Sequence, residues 1–215
     1  MTSENMSVLV NVIGAVESGC QIYGKRRYEA YAAPYTNSQN EHTVTLGWAQ
    51  NYGAEAKSLI SMIKDADPSA FARIDTVGSI ESMLYQDWVA IRWNPTAAQK
   101  AVLISLITSD AGKDMQDKKF AADMEKLIAD CERDYTNDVK AIMMYCEIRH
   151  LGGKSPVDRI FKRCNGDYTL DSIMASLKQD QSDTTSSNQV GDSVYWSRHE
   201  KCREFIDKYA VDEAK

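Results

Sequence analysis

The sequence predicts a mainly α-helical protein that carries a small β-containing segment near its amino-terminal end. Three observations support this class. Apolar residues recur at helical spacing through most of the 215 residues. The stretch from 18 to 52 is instead punctuated by glycines and holds one β-rich run. No internal repeat or sharp change in composition divides the chain, so we expect one domain over residues 1–215 with a small lobe at about 18–52.

The predicted elements follow from local patterns. Residues 7–17 are apolar almost all round, as in a helix at the centre of a core. Residues 42–46 are β-rich and end at Gly47, which predicts one or two short strands. Further helices are expected over 54–64, over 79–91, from Asn94-Pro95 onwards, over 120–131, over 138–150 with a stop at Gly152-Gly153, from Ser155-Pro156, over 170–177 and over 195–209. The polar stretch 178–193 is predicted to be an exposed loop.

Composition excludes several classes of function. Hydrophobic residues make up 43% of the chain, which is enough for a sizeable core. A net charge of -6 makes nucleic acid a poor partner. No apolar run reaches the ~18 residues of a membrane span, so we expect no membrane partner. The apolar stretch from Val8 to Val16 follows Glu4 and lacks both a basic leader and a cleavage site, so we expect a core helix and no signal peptide.

Cysteine and motif patterns narrow the chemistry further. The five cysteines are scattered without a CxxC pair, so we expect free thiols and neither a zinc knuckle nor a redox motif. They are Cys20, Cys131, Cys146, Cys164 and Cys202. No nucleotide-binding, metalloprotease or serine-hydrolase motif occurs. We therefore expect neither a metal nor a cofactor, and a nucleophilic role for Cys20 is disfavoured because papain-like surroundings are absent.

Glu17 is the strongest candidate for catalysis. It ends the apolar helix and is followed by Ser18-Gly19. Desolvation by the surrounding hydrocarbon and the negative end of the helix dipole both oppose its charged form, so we expect a raised pKa and a carboxyl that can donate a proton. Lysozyme is the established example of such an acid. The alternative is that Glu17 is merely the last, exposed residue of a helix.

The residues that follow resemble a known superfamily. Residues 43–52 read TVTLGWAQNY, and the helix-end motif is Glu17-Ser18. This combination resembles the lysozyme-like superfamily, in which a catalytic glutamate ends a buried helix and a glycine-bearing β segment follows. The stretch AVESGCQIYGKRRYEAY looks closest to the glycosidase domain of multi-domain phage endolysins. The segments MYCEIRHLGG and YWSRHEKC are similar to that group as well, although Cys20 stands where many members have a second glycine.

The resemblance implies a fold and a function. The fold would be a lysozyme-like catalytic domain, with a helical lobe and a small β-containing lobe flanking a cleft. The activity would be a peptidoglycan glycoside hydrolase, either an N-acetylglucosaminidase or a muramidase. Such an enzyme acts on glycan strands of the bacterial cell wall as a monomer or as one module of a larger lysin, and it stays in the host cytoplasm until lysis. The alternatives are a catalytically inactive wall-binding or phage tail module, and a lytic transglycosylase or chitosanase-like enzyme.

Further polar candidates accompany Glu17. Glu41 precedes Thr45 by four residues and is interpreted as a second catalytic carboxylate, as an ion-pair partner of Lys25 or Arg26, or as a solvated loop charge. Thr45 and Gln50 are candidates for positioning a water molecule. His150 is either a neighbour of Glu17 that orients it or binds sugar, or a cap of its own helix.

Aromatic residues crowd the same front region. Sugar rings have apolar faces and hydroxyl rims, which tyrosine and tryptophan side chains match. We expect substrate contacts from Tyr23, Tyr28, Trp48 and Tyr52. The alternative is that about half of these aromatic residues only pack the small lobe. His199, Trp88 and Trp93 are predicted to be core residues.

Overall fold

The computed structural model describes residues 1–36, 41–185 and 192–212, and it confirms the mainly helical class. The chain divides into two compact units. The helical unit comprises residues 1–25 and 121–215, and the mixed unit comprises residues 26–120. The helices are α1 (Ser3–Glu17), α2 (Ala54–Ala66), α3 (Pro68–Ile74), α4 (Ala97–Thr108), α5 (Asp110–Asp134), α6 (Val139–Gly152), α7 (Lys154–Arg163), α8 (Leu170–Thr185) and α9 (Asp192–Tyr209). The strands are β1 (Tyr31–Ala32), β2 (Thr45–Leu46) and β3 (Asn51–Tyr52).

The first helix is buried within the helical unit. The side chain of Thr2 caps α1 by accepting a hydrogen bond from the backbone N–H of Asn5. Every residue from Val8 to Val16 except Asn11 is buried, which confirms the predicted all-round apolar helix. Helices α6 and α9 both pack against α1. The residue at the end of α1 is therefore set among helices that come from distant parts of the chain.

The mixed unit contains a small antiparallel sheet in the order β1-β2-β3. Leu46 is opposite Tyr31 on one side and Asn51 on the other. The turn between β2 and β3 requires Gly47, whose φ is +76° and whose backbone lies against the side chain of Gln116. The predicted strand before Gly47 is confirmed, although it is only two residues long.

The β-containing unit is larger than the lobe expected at about 18–52. The strands share one apolar core with α2, α3 and α4, so these elements form a single compact unit with them. That core consists of Val44, Leu46, Ala56, Leu59, Ile60, Ile63, Phe71, Ile80, Trp88, Trp93, Leu103, Leu106 and Ile107. Residues 18–25 belong to the helical unit instead. The prediction that Trp88 and Trp93 are core residues is confirmed.

Two predicted helix starts in the mixed unit are wrong. Residues 79–91 form only a 3-10 helix, Ser82–Tyr85, and the chain becomes extended at Gln86, where φ is -100° and ψ is 156°. The carboxylate of Asp75 accepts the backbone N–H groups of Ser79, Ile80 and Glu81 just before this helix. Helix α4 does not begin at Asn94-Pro95. Thr96 caps it instead, in a capping box with Gln99.

In the carboxy-terminal part, α8 continues to Thr185 and α9 begins at Asp192, so the predicted loop over 178–193 is wrong for residues 178–185 and 192–193. Residues 186–191 lie outside the described part of the chain. The five cysteines are free thiols, as expected. Among the described residues, no helix is long and apolar enough to cross a membrane.

Candidate active site

Glu17 lies at the carboxy-terminal end of α1 in a sheltered position. Its side chain is only 10% exposed. The preceding residues of α1 are buried, and the chain turns away through Ser18 and Gly19, whose φ is +67°. Glu17 is therefore not the water-facing helix end that was the alternative interpretation. Its side chain keeps a small exposed surface, while the carboxyl oxygen Oε2 is buried.

Two residues from other helices contact the Glu17 carboxyl. His150, in the last turn of α6, places Nε2 3.7 Å from Glu17 Oε1. Arg198 of α9 forms an ion pair through Nη2 with Glu17 Oε2. The side chains of His150 and Arg198 are 22% and 16% exposed. Three helices thus bring one carboxyl, one imidazole and one guanidinium together at a partly open position.

The imidazole of His150 is held in its neutral form. Burial lowers its pKa below the ordinary value of 6.5, and the positive charge of Arg198 acts in the same direction, against the opposing effects of Glu17 and Glu147. A neutral ring has one donor and one acceptor nitrogen. A helix cap based on a charged imidazolium is therefore disfavoured, and His150 is suited to orient a neighbouring polar group.

A second carboxylate lies behind Arg198. Glu147 of α6 is completely buried, and its Oε1 accepts a hydrogen bond from Arg198 Nε at 3.0 Å. Its Oε2 lies 2.7 Å from His199 Nδ1. Burial alone would raise the pKa of Glu147, but His199 and Arg198 outweigh it and lower the pKa below 4.5. The predicted core position of His199 is confirmed, since it is 4% exposed and bonded to Glu147.

Sequence reasoning missed Glu147 and Arg198 as parts of this site. One pattern points to them. Glu147 and His150 are three residues apart on one helix, so they share a face, and Glu147 interrupts the apolar run from Ala141 to Ile148. A charged residue inside such a helix requires a buried partner of opposite charge. The Arg198-His199 pair on the last helix supplies it.

The polar candidates of the mixed unit form their own contacts. Thr45 is 6% exposed, and its hydroxyl donates to Glu41 Oε2 at 2.5 Å. The observed role of Thr45 is thus to orient the Glu41 carboxylate, and a contact of Thr45 with a catalytic water stays a prediction. Gln50 is exposed at the tip of the β2–β3 turn, with a φ of +53° and its backbone N–H bonded to the carbonyl of Gly47.

Trp48 does not fit its predicted role as a substrate contact. The residue is 1% exposed and its ring packs on Phe120 with a centroid distance of 4.6 Å. Its indole N–H donates to Asp117 at 3.0 Å. The prediction of a sugar platform is wrong for this residue because both its ring and its polar edge are already engaged in the core.

Tyr28 lies beside the same acidic residue. Its hydroxyl donates to Asp117 Oδ2 at 2.8 Å and accepts from Arg26 Nη1 at 3.1 Å. Burial and then the hydrogen bond to Asp117 raise the pKa of Tyr28, so the phenol stays protonated. Arg26 itself pairs with Asp117 at 3.3 Å. Tyr28 is half-buried, and its contact with a sugar stays a prediction.

The other two tyrosines are partly engaged in packing. Tyr23 stacks on Tyr209 of α9 with a centroid distance of 3.7 Å, so one face of its ring is covered. Tyr52 accepts the backbone N–H of His42 at 3.2 Å through its hydroxyl. Both residues are half-buried. Their predicted substrate contacts stay predictions that use the remaining exposed surface.

Comparisons with protein-family models, with curated proteins and with solved structures find no match for this chain. Within residues 1–36, 41–185 and 192–212, no group of three or more His, Cys, Asp or Glu side chains is arranged to hold a metal ion. The chemical character of the site therefore rests on its own geometry. It consists of a sheltered carboxyl with a cation and a neutral imidazole beside it.

Proposed function

We propose that this protein hydrolyses the glycan strands of bacterial peptidoglycan, as an N-acetylglucosaminidase or a muramidase, with Glu17 as the general acid. The observation that carries the proposal is the position of Glu17, sheltered at the end of an apolar helix and contacted by Arg198 and His150. An acidic side chain that is mostly enclosed but keeps some exposed surface is suited to transfer a proton to a bound substrate.

In the proposed reaction, the proton of the Glu17 carboxyl moves to the oxygen of the glycosidic bond. The electron pair of the carbon–oxygen bond goes to that oxygen, which leaves as a hydroxyl group. The sugar carbon becomes an oxocarbenium-like centre. Water then adds to this carbon and gives up a proton, which restores the acid. No cofactor is needed for any of these steps.

Arg198 and His150 have defined roles in this scheme. Negative charge develops on the Glu17 carboxyl as its proton leaves, and the guanidinium of Arg198 stabilises that charge. Because burial keeps His150 neutral, its ring can orient the Glu17 carboxyl without adding a second positive charge. Arg198 thus promotes proton release, and His150 fixes the direction in which the proton is delivered.

Two features support a peptidoglycan substrate. The helix-end motif Glu17-Ser18 and the segment TLGWAQ resemble the glycosidase domains of phage endolysins. The β2–β3 turn within that segment is tightly built, since the backbone N–H of Trp48 donates to Gln116 Oε1 at 3.0 Å. This turn presents Gln50 at an exposed position, where a polar ligand can reach it.

Glu41 is the proposed second carboxylate. The hydrogen bond from Thr45 fixes the orientation in which this carboxylate would act on water. Glu41→Gln is expected to lower kcat by on the order of 100-fold if Glu41 is the base. Unchanged kcat in this variant would assign the stabilising role to the acetamido group of the substrate instead.

The decisive experiment measures new reducing ends released from purified peptidoglycan. Glu17→Gln is expected to abolish release while the circular dichroism spectrum stays unchanged. Glu4→Gln is the matched control, because Glu4 lies exposed in the first turn of the same helix, and it is expected to act like the wild type. Equal release by wild type and Glu17→Gln would contradict the proposal.

The same assay separates the rival functions. A wall-binding or phage tail module would sediment with peptidoglycan and release no ends. A lytic transglycosylase would release fragments with anhydro ends, which mass spectrometry distinguishes from hydrolytic ends. A chitosanase-like enzyme would prefer a polymer of glucosamine to peptidoglycan. Each of these results replaces the proposed activity with a specific alternative.

A further inference from the structure

We infer that Glu147 is a positioning residue that holds Arg198 against Glu17. This inference rests on the proposed function of Glu17. It assigns a role in the reaction to a carboxylate that is completely buried and therefore does not touch substrate. The role is exerted through the guanidinium of Arg198, which bonds Glu147 at one edge and Glu17 at another.

The geometry uses the fixed shape of the guanidinium group. Nε of Arg198 donates to Glu147 Oε1 at 3.0 Å, while Nη2 of the same side chain pairs with Glu17 Oε2. Because the guanidinium is planar and rigid, fixing Nε also fixes the direction of Nη2. Glu147 thereby determines where the positive charge lies relative to the Glu17 carboxyl.

Both oxygens of Glu147 are used. Oε1 bonds Arg198, and Oε2 bonds His199 Nδ1 at 2.7 Å. Arg198 and His199 are adjacent on α9, so the carboxylate is bound to one short stretch of that helix. A carboxylate bonded at both oxygens cannot rotate, and its hydrogen bond to Arg198 keeps one direction.

A purely structural role accounts poorly for this arrangement. Completely burying a carboxylate has a high desolvation cost, and well-packed apolar residues in place of a buried ion pair are often at least as stable. The Glu147 charge is instead coupled through Arg198 to Glu17, whose side chain is 10% exposed. A buried carboxylate can position a charge at a reacting group only if the two are coupled in this way.

Several charged or titratable groups face this pair. His150 approaches Glu17 from α6, and Arg198 approaches it from α9. Cys202 of α9 is buried, with a pKa raised first by burial and further by Glu147. Asp123 of α5 has the smallest of the charge effects on the pKa of His150, and it acts to raise it. The pH profiles are therefore compared among variants that retain His150, Cys202 and Asp123.

The test is steady-state hydrolysis of peptidoglycan by Glu147→Gln, with kcat, KM and the pH profile measured separately. The substitution keeps the size of the side chain and removes its charge. We expect kcat to fall by about 100-fold, the scale on which a misplaced catalytic group acts, with KM nearly unchanged. A fall in kcat at nearly constant KM places the effect on the chemical step, which a merely structural loss of folded protein would not do.

Asp180→Asn is the matched control. Asp180 of α8 is also a buried carboxylate of the same unit, and it is bonded to Arg159 of α7 at 2.6 Å. We expect this variant to lose stability while its kcat and pH profile remain those of the wild type. Glu147→Asp restores the charge, so it is expected to recover part of the kcat that Glu147→Gln loses.

A second variant, Arg198→Lys, tests the same role if Glu147→Gln does not fold. Arg198→Lys keeps a positive charge next to Glu147, but an ammonium group lacks the planar fork that spans both carboxylates. We expect the same loss of kcat. A wild-type kcat and pH profile in either folded variant would overturn the inference. If the wild-type protein itself releases no reducing ends, the proposed function fails instead, so the two failures are distinguishable.

Discussion

Glu17 illustrates how far a single residue can be understood from its neighbours in the sequence. The apolar run before it predicts a buried helix, and the structure gives its side chain 10% exposure. Its partner Arg198 is far away in the sequence, and no local pattern predicts the contact. Sequence periodicity reports the face of one helix, whereas a contact between helices depends on how they pack.

Trp48 is a residue whose role the sequence predicts wrongly. A tryptophan next to a glycine turn in a tyrosine-rich segment suggests a sugar contact, yet this residue is 1% exposed. The reason lies on α5, where Asp117 accepts the indole N–H and Phe120 packs on the ring. Composition alone does not distinguish an exposed aromatic residue from one that another helix covers.

Gly47 provides a prediction at the scale of a residue. Gly47→Ala is expected to destabilise the protein by about 2–4 kcal/mol, because a side chain at φ +76° is strained and its Cβ would displace the buried, hydrogen-bonded Gln116. Gly78→Ala is the matched control, since φ is +65° and a Cβ at this position would have no other atom within 4 Å. It isolates the backbone strain and is expected to cost about 1 kcal/mol. Urea unfolding measures the free energy of unfolding of both variants. Equal losses would contradict a clash between the new Cβ at position 47 and Gln116.

Secondary-structure elements are best predicted where the pattern is long and unbroken. The all-round apolar α1 and the stop of α6 at Gly153, whose φ is +80°, are both confirmed. The helix expected over 79–91 is wrong, because the apolar spacing there is real but the chain becomes extended at Gln86 after a four-residue 3-10 helix. Apolar spacing alone does not show where a helix ends.

Asp75 gives a prediction at the scale of an element. Asp75→Ala removes the acceptor of three backbone N–H groups and is expected to destabilise the mixed unit by about 3 kcal/mol or more. Asp87→Ala is the control, because Asp87 accepts the backbone N–H groups of Val89 and Ala90 at an exposed position. Asp87→Ala is expected to lower the free energy of unfolding by about 1 kcal/mol. Thermal unfolding compares the two, and similar losses would show that burial of Asp75 is unimportant.

On the scale of the whole molecule, the mainly helical class is predictable from the sequence but the extent of the β-containing unit is not. The helical class follows from local periodicity. The unit boundary depends on the packing of α2–α4 with Val44 and Leu46 of the strand region. Such long-range contacts leave no regular pattern in one sequence. The sequence therefore predicts a lobe that ends near residue 52, whereas the compact unit extends to Phe120.

Stability of the whole chain is expected to fall as the solution becomes acidic. Burial, reinforced by Arg198, lowers the folded-state pKa of His150 below 6.5, so the unfolded chain takes up this proton first as the pH falls through 6.5. The unfolded state then binds more protons than the folded state, and the free energy of unfolding decreases. Glu147, whose folded pKa is also lowered, adds a second loss that begins near its unfolded value of 4.5.

His150→Gln separates these two contributions. The variant is expected to flatten the loss of stability that begins near pH 6.5 and to keep the loss that begins near pH 4.5. Urea midpoints measured at a series of pH values check this expectation. The same slope below pH 6.5 in the wild type and the variant would show that His150 titrates normally in the folded protein.

The most direct test of the proposed function concerns the proton on Glu17. Oligosaccharides of N-acetylated amino sugars are compared with an alkyl leaving group, which needs protonation, and with a nitrophenyl leaving group, which does not. We predict that Glu17→Gln loses at least about 100-fold in kcat/KM on the alkyl glycoside and far less on the nitrophenyl glycoside. An equal loss on both substrates, or no cleavage of either by the wild type, would contradict a role for Glu17 as the proton donor.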